Sequence, residues 1–194
     1  MLNLIVFGAP GAGKGTQSER IIARYGLRHL STGSMLREAI EAQSPMGIEA
    51  QHYIDHGHLV PDELVIDLIA KELDVHPDVP GFIFDGFPRT SVQAHELDDM
   101  LLRRGHPVSL LLALEVEEQE LVARLLNRGL TSNRADDQSE TVIRNRIEVY
   151  MRTTLPVIDH YRRQGKYHGV SGMGSVDEIA ERVAQAIDPI ILKR

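Results

Sequence analysis

The stretch Gly8–Thr16, GAPGAGKGT, follows directly on the apolar run Leu2–Phe7. Glycines let a backbone close tightly around a polyphosphate, so that several N–H groups point inward, and a helix starting at the end of the loop adds the positive end of its dipole. From Gly8 through Gly13 to Lys14 the spacing is that of a P-loop, with Lys14 placed to reach the outer phosphates. Gly15 stands where Ser or Thr is usual and the hydroxyl comes at Thr16, which is therefore the predicted magnesium ligand. The competing interpretation is a glycine-rich turn that holds nothing. The strand predicted before the loop and the helix predicted over Lys14–Tyr25 are the context that favours phosphate.

Around this loop, 194 residues suit one globular domain with a sizeable core. The formal net charge of −7 argues against a general nucleic-acid binder, so any phosphate site must rely on locally placed cations. The absence of cysteine removes disulfides, thiol catalysis and cysteine-based zinc sites, and no structural zinc is expected. Leu2–Phe7 is too short for a signal peptide and lacks a basic lead, and no apolar run approaches the roughly 18 residues of a membrane span. The chain reads as soluble and cytoplasmic, with neither membrane nor nucleic acid as a partner.

Short apolar runs alternate with helical periods, the pattern of a parallel sheet covered on both faces. Strands are predicted at Leu2–Phe7, Leu27–Leu30, Phe82–Asp85, Val108–Glu115 and Tyr167–Val170, enough for a doubly wound five-stranded α/β sheet. Val65, Leu68, Ile69 and Leu73 share one helical face; Ile143, Ile147, Tyr150, Thr154, Ile158 and Tyr161 share another, on a helix that Pro156 should kink. Ser175 and Glu178 form a capping box for the last helix. Two stretches break the alternation. Ser31–Val60 is helical in pattern and reads as a small inserted subdomain, whereas Asn127–Asp137 is polar, rich in turn formers and reads as a mobile flap.

Phe82–Asp85 ends in a carboxylate suited to hold magnesium through its water shell, and GFPRT then sets Arg89 beside that strand end. Arg124 and Arg128 lie a helical turn apart before the flap and can face one ligand, while Arg134 can swing in from the flap itself. Guanidinium groups suit this work because they stay charged and grip phosphate oxygens with a planar fork. Arg146 lies one turn before Tyr150, on the inward edge of its helix; Arg144 points elsewhere. His52, His56 and His58 are close in sequence, but Gly57 interrupts them and no carboxylate completes a metal set.

Several blocks together resemble the adenylate kinase family in its short-lid form, over nearly the whole chain: GAPGAGKGTQ from Gly8, HLSTGSMLR from His29, GHLVPDELV from Gly57, FIFDGFPRTSVQA from Phe82, RLLNRG from Arg124, RADD from Arg134 and GSVDE from Gly174. The resemblance implies magnesium-dependent transfer of the ATP γ-phosphoryl group to AMP, giving two ADP. It also implies a core with an AMP-binding subdomain near 31–60 and a lid near 127–137; a monomer is the default expectation, which the sequence does not itself reveal. By position, Gly8, Ala9, Pro10, Gly11, Ala12, Gly13, Lys14, Gly15 and Thr16 would hold ATP phosphates, with Arg124 on the adenine and Gly174 nearby. Thr32, Arg37, His58, Leu59, Val60, Gly86, Arg89 and Gln93 would hold AMP, together with Arg134 and Arg146. Lys14, Arg89, Arg128, Arg134 and Arg146 would surround the transferring group, with Thr16 and Asp85 serving the metal. Gln93 has a structural alternative as the partner of Thr90 in a capping box.

The chain departs from the family in three places. Ser34 stands where the family usually has an Asp that orders magnesium's waters, or else caps a helix beginning near Met35; Asn133 replaces a usual Gly before Arg134. The segment before Arg146 runs one residue longer than is common, so Arg146 is assigned by its distance to Tyr150, with Arg144 as the alternative. A UMP/CMP kinase of the same fold tends to carry Ala in place of Thr32 and Asn in place of Thr90, so both residues favour AMP. A catalytically silent nucleotide-binding relative is the remaining alternative.

Overall fold

The structure, a computed structural model, describes residues 1–131 and 135–192. β1 (Leu4–Phe7) is buried along its length at the middle of a parallel sheet. The other strands are β2 (Arg28–Ser31), β3 (Phe82–Asp85), β4 (Leu110–Glu115) and β5 (Tyr167–Ser171), in the order β2-β3-β1-β4-β5. Alternate residues face opposite sides, so Ile5, Phe7, Phe84 and Leu111 enter one core while Leu4, Val6, Ile83 and Leu112 enter the other. The helices include α1 (Lys14–Tyr25), α2 (Thr32–Glu41), α3 (Pro45–Asp55), α4 (Asp62–Val75) and α5 (Ser91–Arg103). After β4 come α6 (Glu118–Thr131), a short 3₁₀ turn at Ala135–Asp137, α7 (Glu140–Val149), α8 (Val157–Arg163) and α9 (Val176–Leu192).

The predicted α/β sheet and Lys14–Tyr25 helix are present, with some strand ends moved. β1 starts at Leu4 and β4 at Leu110, two residues later than predicted in each case, because the buried Asn3 ends the ladder. Its amide donates to the His106 carbonyl at 2.6 Å and accepts from the Phe82 N–H at 3.2 Å, while its N–H donates to Ser109 Oγ at 3.0 Å. Register sets Val6 beside Asp85, so the loop after β1 opens next to the end of β3.

Ser31–Val60 resolves into α2 and α3, each started by a serine: Ser31 Oγ accepts from the Ser34 N–H at 3.4 Å and Ser44 Oγ from the Gly47 N–H at 3.1 Å. Ser34 thus lies inside the first turn of α2, and the cap expected of it belongs to Ser31. The capping box of α9 is present, with Ser175 N–H donating to Glu178 at 2.8 Å and Glu178 N–H to Ser175 Oγ at 3.3 Å. The helix expected through Pro156 is instead α7, a π-turn at Tyr150–Thr154, and α8. Proline cannot donate to the carbonyl four residues earlier, and the Leu155 N–H reaches back five residues to Tyr150 at 2.8 Å.

α6 continues to Thr131, so the first part of the predicted flap, residues 127–131, is helical. Gly129, which reads as a turn former, sits in helix where a Cβ would lie 2.3 Å from the Asp137 carbonyl. That close approach lets Asp137 clasp both helices: its side chain, fully buried, accepts from Arg128 of α6 at 2.5 and 3.0 Å and from Arg146 of α7 at 2.6 Å. Burial alone would raise the Asp137 carboxyl, but the Arg128 hydrogen bonds and both guanidinium charges hold it below its ordinary value of 3.8. A depressed folded-state value stabilises the fold above the unfolded one and loses that contribution as pH falls through it. Asp137→Asn should therefore cost about 2 kcal/mol near neutrality, and the gap from the parent in urea unfolding should shrink between about pH 7 and about pH 3. A gap that does not change with pH would show that the carboxylate charge is not what clasps the helices.

Candidate active site

The site grows from the carboxyl ends of β1 and β3. The chain leaves β1 through Gly8 and turns into α1 at Gly13, whose φ of +90° suits glycine; no side chain caps this helix start. Lys14 Nζ lies across the loop and donates to the carbonyls of Gly8 at 2.8 Å and Ala9 at 3.0 Å. Desolvation lowers its pKa to about 8, with Asp85 opposing the shift and Arg89, Arg146 and Arg128 adding to it. From the ordinary 10.5 this amounts to a bias on the order of 3 kcal/mol against the charged amine. A polyanion set against Lys14 would reverse that bias.

A cleft opens from this loop towards α2. It brings together Gly8, Pro10, Lys14, Thr32, Arg37, His58, Leu59, Val60, Gly86, Arg89, Gln93 and Arg146, all singled out from the sequence. Gly86 organises one wall: its carbonyl accepts from Arg89 Nε at 2.7 Å and from the Thr32 hydroxyl at 2.9 Å. Arg89 is held below its ordinary pKa by burial first and then by the Arg146 charge, and Arg37 by burial. Arg146 is anchored by Asp136 at 2.8 Å and Asp137 at 2.6 Å. Arg144 is largely exposed and pairs with Glu140, so Arg146 and not Arg144 enters the cleft.

Asp85 ends β3 just before Gly86. Burial pushes its carboxyl up, yet the His29 ring 3.7 Å away and the charges of Lys14 and Arg89 hold it below the usual 3.8. Thr16, the third residue of α1, is exposed near the loop. Ser34, the departure on α2, accepts from Arg37 at 3.4 Å.

Other predicted residues stand apart from this cleft. Arg124 pairs with Glu120 at 2.7 Å and donates to the Gly172 carbonyl at 3.2 Å, and Arg128 is clasped by Asp137, so the two have different partners. Gly174 lies beyond Gly172, beside Glu178 and Arg182. Of the remaining predicted positions, Ala9, Gly11, Ala12 and Gly13 lie in the turn between β1 and α1, and Gly15 lies in the first turn of α1. Arg134 and Asn133 lie outside the described residues. Gln93 carries half of the predicted capping box: its N–H donates to Thr90 Oγ1 at 3.2 Å, while its Oε1 accepts from the Arg89 N–H at 2.7 Å and not from Thr90.

The cleft also contains residues with no distinctive signal of their own. Leu36, Ile54, Val65, Phe87 and Tyr150 supply apolar wall, and their sequence pattern is that of ordinary core. Asp136 and Asp137 were visible only as part of RADD; their pairing with Arg146 becomes clear when α6 and α7 meet.

Known proteins are similar in sequence to this chain over almost its full length. Residues 6–166 match the family model described as adenylate kinase. The adenylate kinase of Bacteroides thetaiotaomicron is 50% identical over 190 residues, which span 98% of this chain and 100% of that protein. That of Porphyromonas gingivalis is 50% identical over 188 residues (97% and 96%), and that of Flavobacterium johnsoniae 45% identical over 188 residues (97% and 99%). With a family match over residues 6–166 and likeness of this extent, the chain belongs to the adenylate kinase family.

Proposed function

We propose that the protein transfers the γ-phosphoryl group of ATP to AMP, reversibly, giving two ADP, and that the cleft is where the two nucleotides meet. The observation that carries this reading is the convergence of Lys14, Arg37, Arg89 and Arg146 between a phosphate loop and a second wall. One phosphate-bearing ligand would engage Lys14 and the loop N–H groups. A second, against Arg37 and Arg89, would use the remaining charge. ATP would lie on Gly8–Thr16 with its adenine near Arg124 and Gly174; AMP would lie among Thr32, Arg37, His58, Leu59, Val60, Gly86, Arg89 and Gln93.

No general base is needed, because the attacking AMP phosphate oxygen is already anionic near neutrality. Catalysis is then positioning plus stabilisation of charge on the equatorial oxygens, the task of Lys14, Arg89, Arg128, Arg134 and Arg146. Thr16 and Asp85 fit a magnesium site, since a hydroxyl and a carboxylate held charged are hard oxygen donors and this ion leaves most positions to water and substrate phosphates. Bound there, magnesium would neutralise charge on the β- and γ-phosphate oxygens. Ser34 offers only a neutral hydroxyl beside this region. The segment 127–137 would act as a lid and Ser31–Val60 as an AMP-binding subdomain, both closing on ligand to exclude water. The protein is read as a cytoplasmic monomer, and no helix among the described residues is long and apolar enough to cross a membrane.

Product formation from ATP, magnesium and each nucleoside monophosphate in turn tests the reading. AMP should be the preferred acceptor, and Lys14→Ala and Arg89→Ala should each lower its turnover by about 10³ while leaving the fold intact. Preference for UMP or CMP would reassign the acceptor, and nucleotide binding without any transfer would mark a silent relative. Turnover by Lys14→Ala within about tenfold of the parent would remove the phosphate-loop assignment.

A further inference from the structure

Behind the cleft wall, outside the lining residues, Asp62 opens α4 and joins two residues of the following strand–helix unit. Thr90 Oγ1 donates to its carboxylate, at 3.0 Å from each oxygen, and Gln93 Nε2 donates to Oδ1 at 2.8 Å. On its other side, Gln93 Oε1 accepts from the Arg89 N–H at 2.7 Å. A carboxylate only accepts and a backbone N–H only donates, so these two partners allow the buried Gln93 amide one orientation. Turning it over would set oxygen against carboxylate and NH₂ against N–H. One amide hydrogen and one oxygen lone pair stay uncommitted where Gln93 lines the cleft.

We infer that Asp62 sets the base preference of the acceptor site by fixing which end of the Gln93 amide donates and which accepts. This deepens the acceptor reading above and rests on it. In that reading the arginines take the phosphate, and Gln93 is the amide that remains, on a wall with Val60 and Val65, to meet a base edge. Adenine presents an exocyclic amino donor beside a ring-nitrogen acceptor. Hypoxanthine presents the inverse, an exocyclic oxygen beside a ring N–H, and in the same pose it would need the amide turned over. Asp62 makes that turn costly because a buried donor or acceptor would lose its partner. Asp62 is thus a positioning residue, acting on base choice through Gln93.

The test compares kcat/KM for AMP and for inosine monophosphate in the parent, Asp62→Ala and Asp62→Asn. Alanine removes the acceptor, so the AMP-to-IMP ratio should fall by about tenfold or more, through KM for the acceptor and without change in KM for ATP. Asparagine can still offer its carbonyl to Gln93 Nε2 while its NH₂ donates to Thr90 Oγ1, so it should keep the ratio within about threefold of the parent. Asp62→Ser suits a helix start but is too short to reach Gln93, and it repeats the alanine test if that variant does not fold. An unchanged ratio in the alanine and serine variants, or an equal loss in the asparagine variant, would overturn the inference while leaving AMP as the acceptor. A parent that does not phosphorylate AMP would remove the acceptor reading itself.

Discussion

Lys14, Arg37, Arg89 and Arg146 stand within one another's field at the carboxyl edge of the sheet, in a chain whose net charge is −7. Like charges out of bulk water repel strongly and lose solvation, so such a group persists only when the surrounding fold holds each member in place. Counter-charges do part of this work. Asp85 lies beside Lys14 and Arg89, while Asp136 and Asp137 hold Arg146. Backbone carbonyls add to this: those of Gly8 and Ala9 accept from Lys14, and that of Gly86 accepts from Arg89. The lowered pKa of Lys14 records its burial first, with the charges of Arg89, Arg146 and Arg128 adding to it against the pull of Asp85. Polyphosphate is the kind of ligand that reverses this shift.

The parallel sheet makes this concentration geometrically available. Because all five strands run the same way, the turns after β1 and β3 emerge at one edge, and the register of Val6 with Asp85 sets them side by side. On the two sides of the π-turn and Pro156, Arg146 and Tyr150 line the cleft while Ile158 and Tyr161 enter the core. Asp137 ties this segment to α6. Sequence neighbours thus serve the core and the site in turn.

What could be read in advance follows from how local each signal is. The phosphate loop is contiguous, and its residues need only the strand before and helix after them, so Gly8–Thr16 and Lys14–Tyr25 were legible directly. The Ser175–Glu178 capping box is equally local. Strand ends were less so, because Asn3 bonds to His106 and Ser109, far away in sequence. Gly129 and its neighbours carry turn-forming chemistry, yet helix prevails because the backbone at Asp137 must approach. Asp62 stood in the sequence only as part of GHLVPDELV, with no signal for its role: in an apolar-periodic helix start it resembles any acidic first-turn residue. Its bonds to Thr90 and Gln93 exist only once α4 packs on α5.

The claim on which all of this turns is that one continuous field of cations serves two nucleotides at once. Calorimetric titration with an analogue that joins two adenosines through a chain of phosphates long enough to span both walls tests it most directly. One analogue should bind per chain, tightly, and should exclude both ATP and AMP, with affinity falling steeply in Arg89→Ala. Binding of two analogues per chain, or AMP binding undiminished in the presence of the analogue, would contradict a shared site.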